Sequence, residues 1–122
     1  MDNLYYLKGL RTFDLKFLRG RFLNYIEKNW ELNNHNLQKT SCVYVMVSYD
    51  CMGRNGDIVY VGSTTNIYAR YKSHKVPAKI QATGNLNLMY YMPMTRGFYD
   101  YEIKLIRRLK PLFNRQHKNG TT

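Results

Sequence analysis

Two apolar, β-branched runs, Val43–Tyr49 and Ile58–Val61, flank a segment carrying Gly53, Asn55 and Gly56. This arrangement commits the middle of the chain to an antiparallel hairpin with a long connection. β-branched and aromatic residues fit a pleated surface, and Gly and Asn supply the turn. The unbroken apolar character of the first run marks a strand covered on both faces. Side chains alternate faces along a strand, so register decides which of them meet. If Tyr44 opposes Tyr60 or Ile58, the two tyrosines project from one side; an odd register separates them. A bulge near the long connection would change the count.

Other elements follow from punctuation and periodicity. Leu86–Met92 reads as a third strand stopped by Pro93. Gly62 ends the second strand, and Ser63, Thr64 and Thr65 are candidate caps for a helix over 66–74. Pro77 breaks that helix or opens the next segment, and 78–87 reads as a short helix with a turn at Gly84–Asn85. Residues 14–30 have an amphipathic helical pattern, with Leu15, Leu18, Phe22, Tyr25 and Ile26 on one face. Residues 31–41 are polar and Asn-rich, as in a linker. The expected organisation is an N-terminal helical extension with linker (1–40), a core domain (41–115) and a flexible tail (116–122).

Phe98–Leu109 is the clearest helix. Phe98, Leu105, Ile106 and Leu109 form its apolar stripe, and Lys104, Arg107 and Arg108 lie opposite. Glu102 falls inside the stripe. A carboxylate on a buried face is costly unless something pairs with it. A divalent ion is one answer, and a neighbouring basic residue is another.

Charge points to the partner. Lys plus Arg number 19 and Asp plus Glu 8, a net charge of +11. Such an excess suits a polyanion, most often nucleic acid. Cys42 and Cys51 lack zinc-site spacing, and Cys42 reads as a small buried hydrophobe. No secretory pattern and no run near the ~20 apolar residues of a membrane span is present. The expectation is a soluble, intracellular protein with no membrane partner.

Phosphodiester cleavage at neutral pH requires charge neutralisation at phosphate, a base for water and stabilisation of the leaving oxygen. Glu102 can hold a hard divalent cation. Arg70 offers a planar, always-charged fork for phosphate. Tyr44, Tyr60 and His74 can accept or relay a proton. Arg70 and His74, four apart, share a helix face. Lys72, Lys75, Lys79, Arg107 and Arg108 are candidate phosphate contacts.

As a set, these residues resemble the GIY-YIG nuclease family over about 41–115. The first motif stands as Cys42–Val43–Tyr44 and the second as Tyr60–Val61–Gly62. Arg70 matches the family's arginine, His74 its histidine one turn later, Glu102 its metal-binding glutamate and Asn114 its trailing asparagine. Two departures are the Cys at position 42 in place of glycine and the long connection Asp50–Asp57. The resemblance implies an α+β fold, a small three-stranded antiparallel sheet flanked by helices. It also implies DNA endonuclease activity with Mg²⁺ or Mn²⁺, with Glu102 as the metal ligand. Tyr44 would take the proton of the attacking water, with His74 accepting it or tuning the phenol. Arg70 would hold the scissile phosphate, Tyr60 would orient water or phosphate, and Asn114 would position nearby polar groups. Compactness suggests a phage, mobile-element or restriction-related enzyme. The N-terminal helix could dock DNA, mediate a homodimer or complete the core, and its wide apolar face favours the last. The competing readings are a non-catalytic nucleic-acid-binding module and an RNA-directed protein.

Overall fold

The hairpin pairs as β2 (Cys42–Tyr49) and β3 (Asp57–Thr64) in the computed structural model, which describes residues 12–33 and 39–114. Around it stand α1 (Thr12–Asn29), β1 (Glu31–Leu32), α2 (Ile67–Ser73), α3 (Val76–Gln81), β4 (Leu86–Pro93) and α4 (Phe98–Leu109). The expected tail, 116–122, lies outside the described residues. The fold is α+β, and no described helix is long and apolar enough to cross a membrane.

The sheet has four antiparallel strands in the order β1-β4-β2-β3, not three. The added strand comes from the segment read as a linker: Glu31 opposes Tyr91 and Leu32 opposes Tyr90. Trp30 is buried and its backbone N–H donates to Ile26 O at 2.8 Å, which steers the chain past the open edge of β4. Unpaired backbone groups on that edge recruit it. Asn33 N–H then donates to Met89 O at 2.8 Å.

Tyr44 opposes Gly62 and Met46 opposes Tyr60, so both tyrosines share a face, two residues out of the register considered above. A bulge does occur: Val47 opposes Ile58, leaving Val59 as the extra residue. It lies on the connection side of Tyr60, so the parity between Tyr44 and Tyr60 survives. The bulge turns Val59 toward Tyr44 and Met46, while Ile58 and Val61 pack on the other face.

Helices cover both faces of the sheet. On one, α1 and α4 bury Leu23, Ile26, Leu105, Ile106 and Leu109 against Val43, Val45, Val47 and Val61. On the other, Ile67, Val76 and Ile80 of α2 and α3 pack on Cys42, Tyr44, Met46 and Met89. The N-terminal helix therefore contributes to the core. Its phase differs from the expected stripe: Leu23 is buried and Tyr25 is 52% exposed. Burial of the bulky Trp30 sets that phase, with Ile26 and Leu23 one and two turns before it. Arg19 locks α1 in place. Its Nε donates to Asp57 Oδ1 at 2.7 Å, and another guanidinium nitrogen donates to Leu109 O at 3.1 Å.

β3 is an edge strand, and residues after α4 close it. Phe113 N–H donates to Val59 O at 2.8 Å. Asn114 is buried, accepts from Val61 N–H at 2.8 Å and donates to Val61 O at 2.9 Å. Its amide thus replaces a strand partner, holding the residue between Tyr60 and Gly62. Asn114→Ala leaves both Val61 groups unpaired, so chemical denaturation should show a loss of about 2 kcal/mol or more. A loss under about 0.5 kcal/mol would mean that water substitutes for the amide.

Candidate functional site

The site starts at the closest contact in the hairpin. The Tyr44 ring lies across the backbone of Gly62, where a Cβ would stand 2.5 Å from both Cζ and the hydroxyl. Tyr44 is fully buried, so its ring has no room to give way. A residue without a side chain is required here for steric reasons. The Tyr44 hydroxyl accepts from Arg70 Nε at 3.2 Å.

Helix α2 delivers that guanidinium. The helix is capped by Asn66, whose side chain accepts from Ala69 N–H at 3.1 Å. The expected caps serve otherwise: Thr64 Oγ1 accepts from Asn66 N–H at 3.1 Å, and Ser63 turns to α4. Buried Ile67 anchors the helix over the sheet, with its N–H donating to Thr40 O at 3.0 Å.

His74 sits at the C-cap of α2, just outside the helix. Its ring stands edge-on to Tyr60 at 4.6 Å and to Tyr44 at 5.7 Å between centroids. Tyr44 and Tyr60 are stacked at 6.2 Å. Tyr44, Tyr60, Arg70 and His74 therefore form one cluster on the α2/α3 face.

The cluster is electrostatically polarised. Burial pushes the Tyr44 phenol well above its ordinary value; Tyr60 and Glu102 add to the rise, and the Arg70 guanidinium opposes it. Burial and the charges of Arg70 and Lys79 lower His74 to about 4. Burial alone would lower the pKa of Arg70, but the phenols of Tyr44 and Tyr60 outweigh it and raise the value. At neutral pH the phenol and the imidazole are both uncharged. Val76 N–H donates to His74 Nδ1 at 3.2 Å, so the neutral ring carries its proton on Nε2. That atom is buried without a hydrogen-bond partner. His74 can donate there, but it cannot accept there.

Glu102 comes from the other layer. It is 6% exposed on α4 and accepts from Ser63 Oγ at 2.5 Å. Ser63 follows Gly62, so the carboxylate reaches the same short piece of β3 from beneath. Asn114 acts one residue earlier, on the backbone of Val61. The six residues thus converge on Tyr60–Ser63 from both faces, four as a cluster and two through the strand.

The candidate phosphate contacts divide between the faces. Lys72, Lys75 and Lys79 are exposed on α2, α3 and the turn between them, beside the cluster. Lys72 Nζ donates to the Tyr68 hydroxyl at 2.6 Å. Arg107 and Arg108 are exposed on α4, in the opposite layer. Ser63 and the backbone of Val76 were missed in the sequence. Ser63 was recoverable from parity, since it shares a face with Val61. The Val76 contact depends on the C-cap geometry of α2 and leaves no sequence signal.

Among the described residues, no group of three or more His, Cys, Asp or Glu could hold a metal. Mg²⁺ does not require one, because it keeps several waters and takes phosphate oxygens beside one or two carboxylates. Glu102, an oxygen donor buried beside a hydroxyl, fits that chemistry. No protein-family model, curated protein or solved structure matches this chain.

Two measurements check the geometry. Gly62→Ala should cost about 1–3 kcal/mol by overpacking against Tyr44, and less in a Tyr44→Leu background; equal losses in both backgrounds would remove the contact. His74 titrates near 6.5 when unfolded and near 4 when folded. Between those values the unfolded chain binds more protons, so stability should fall as pH drops through the window. His74→Gln should flatten that part of the profile; an unchanged slope would assign it to other groups.

Proposed function

We propose that the chain is a metal-dependent DNA endonuclease of the GIY-YIG type, hydrolysing a phosphodiester bond laid along Tyr60–Ser63. The observation that carries this reading is that two charged groups reach adjacent positions of β3 from opposite faces: the Arg70 guanidinium through the buried phenol that rests on Gly62, and the buried Glu102 carboxylate through Ser63. Arg70 holds the scissile phosphate. Tyr44 acts as the base in its phenolate form: its own proton first goes to bulk water, a loss that the Arg70 hydrogen bond favours and burial resists, and the phenolate then takes a proton from the attacking water. His74 presents its Nε2–H to a phosphate oxygen, and Tyr60 orients the water against the His74 ring. Asn114 keeps this stretch of β3 in register. Glu102 would hold Mg²⁺ or Mn²⁺, which neutralises charge on the phosphate and leaving oxygen. Lys72, Lys75 and Lys79 contact flanking phosphates.

A second reading, a non-catalytic nucleic-acid-binding module, is favoured by one observation: burial holds the Tyr44 phenol neutral in the unliganded protein. Supercoiled plasmid incubated with and without Mg²⁺ separates the two. The nuclease should nick it, chelator and Glu102→Ala should abolish nicking, and Arg70→Ala should slow it roughly 10²-fold or more. Intact plasmid despite tight binding would establish the module instead.

A further inference from the structure

A groove of about 500 Å³ runs between α1 and α4, in the layer opposite the tyrosine cluster. Arg21, Phe22 and Tyr25 line it from α1, and Tyr101, Leu105 and Arg108 from α4. None of the six residues assigned above lines it, and one wall belongs to the N-terminal helix.

Its chemistry is aromatic and cationic together. The Phe22 and Tyr25 rings are stacked, with centroids 5.9 Å apart and planes 16° from parallel. Tyr25 nevertheless remains 52% exposed, so a solvated ring tops an existing stack. Tyr101 stands near enough for the Tyr25 phenol to help burial raise its pKa. The charged residues lining the groove are both arginines.

We propose that this groove binds an unpaired DNA strand, with a base stacked on Tyr25 and the phosphates beside Arg21 and Arg108. Base–aromatic stacking in a cationic groove is the general means of holding single strands, because every base has a π-face. A recess takes a splayed-out base, whereas a duplex presents grooves that receive protruding elements. A second copy of the chain is disfavoured as the occupant, since it would bring arginine against arginine between bodies of net charge +11. The choice of DNA over RNA rests on the proposed nuclease reading; the stacking chemistry does not.

Fluorescence anisotropy with a short oligothymidylate in chelator tests the inference, with a duplex and an oligouridylate of equal length as the other arms. Tyr25→Ala should weaken oligothymidylate binding about tenfold and leave duplex affinity unchanged. Tyr25→Phe keeps the ring and should bind like the wild type. Arg21→Gln should reduce the slope of log affinity against log salt by about 0.7. Equal binding by Tyr25→Ala, an equal loss on duplex, or preference for oligouridylate would overturn the proposal. So would sedimentation showing a wild-type dimer that Tyr25→Ala dissociates. Chelator suppresses metal-dependent cleavage, so a protein that binds through Tyr25 yet never nicks plasmid would refute only the nuclease reading.

Discussion

Tyr44 reaches across the β2–β3 ladder and rests on the backbone of Gly62, and Arg70, Tyr60 and His74 are placed against its ring and hydroxyl. A side chain at position 62 would collide with the phenol, so the smallest residue stands opposite one of the largest. Close packing then immobilises the ring, and Arg70 meets its hydroxyl from α2. His74 fits edge-on against both tyrosines. Move the phenol and the Arg70 hydrogen bond, the ring contacts and the polarisation of His74 all change together.

The same burial has an opposing consequence. Enclosing the phenol orders it but disfavours its charged form, and Arg70 offsets only part of that effect. His74 adds no positive charge near neutral pH, because burial and, after it, the charges of Arg70 and Lys79 keep it neutral. At neutral pH the Tyr44 phenol and the His74 imidazole are thus uncharged, with the Arg70 guanidinium held against the phenol. An incoming phosphate would meet fixed donors needing little reorganisation, the arrangement that makes electrostatic stabilisation effective.

Much of this was legible in the chain. The apolar runs at 43–49, 58–61 and 86–92 mark three strands, but Gly62 does not end the second: β3 continues through it to Thr64, paired with Cys42–Tyr44. The α4 stripe, with Glu102 inside it, is as readable as the surrounding apolar residues, and Glu102 is buried as its position implied. Other features depended on tertiary context. Glu31–Leu32 has no strand pattern and pairs because Trp30 delivers it to an open edge. The phase of α1 is decided by that same tryptophan, so Tyr25 became solvent-facing while Leu23 turned inward. For Asn114 the resemblance implied only a positioning role; its bidentate hold on Val61 requires knowing that β3 is an edge strand. The direction of the His74 proton follows from one backbone donor that no periodicity reveals.

The central claim is that groups from two layers meet at Tyr60–Ser63, with Glu102 as the cation ligand. Paramagnetic broadening by Mn²⁺ in NMR spectra reads this directly. The expected result is selective broadening of Gly62, Ser63 and Tyr44, lost in Glu102→Ala. Broadening elsewhere, or broadening at these residues that persists without Glu102, would contradict it.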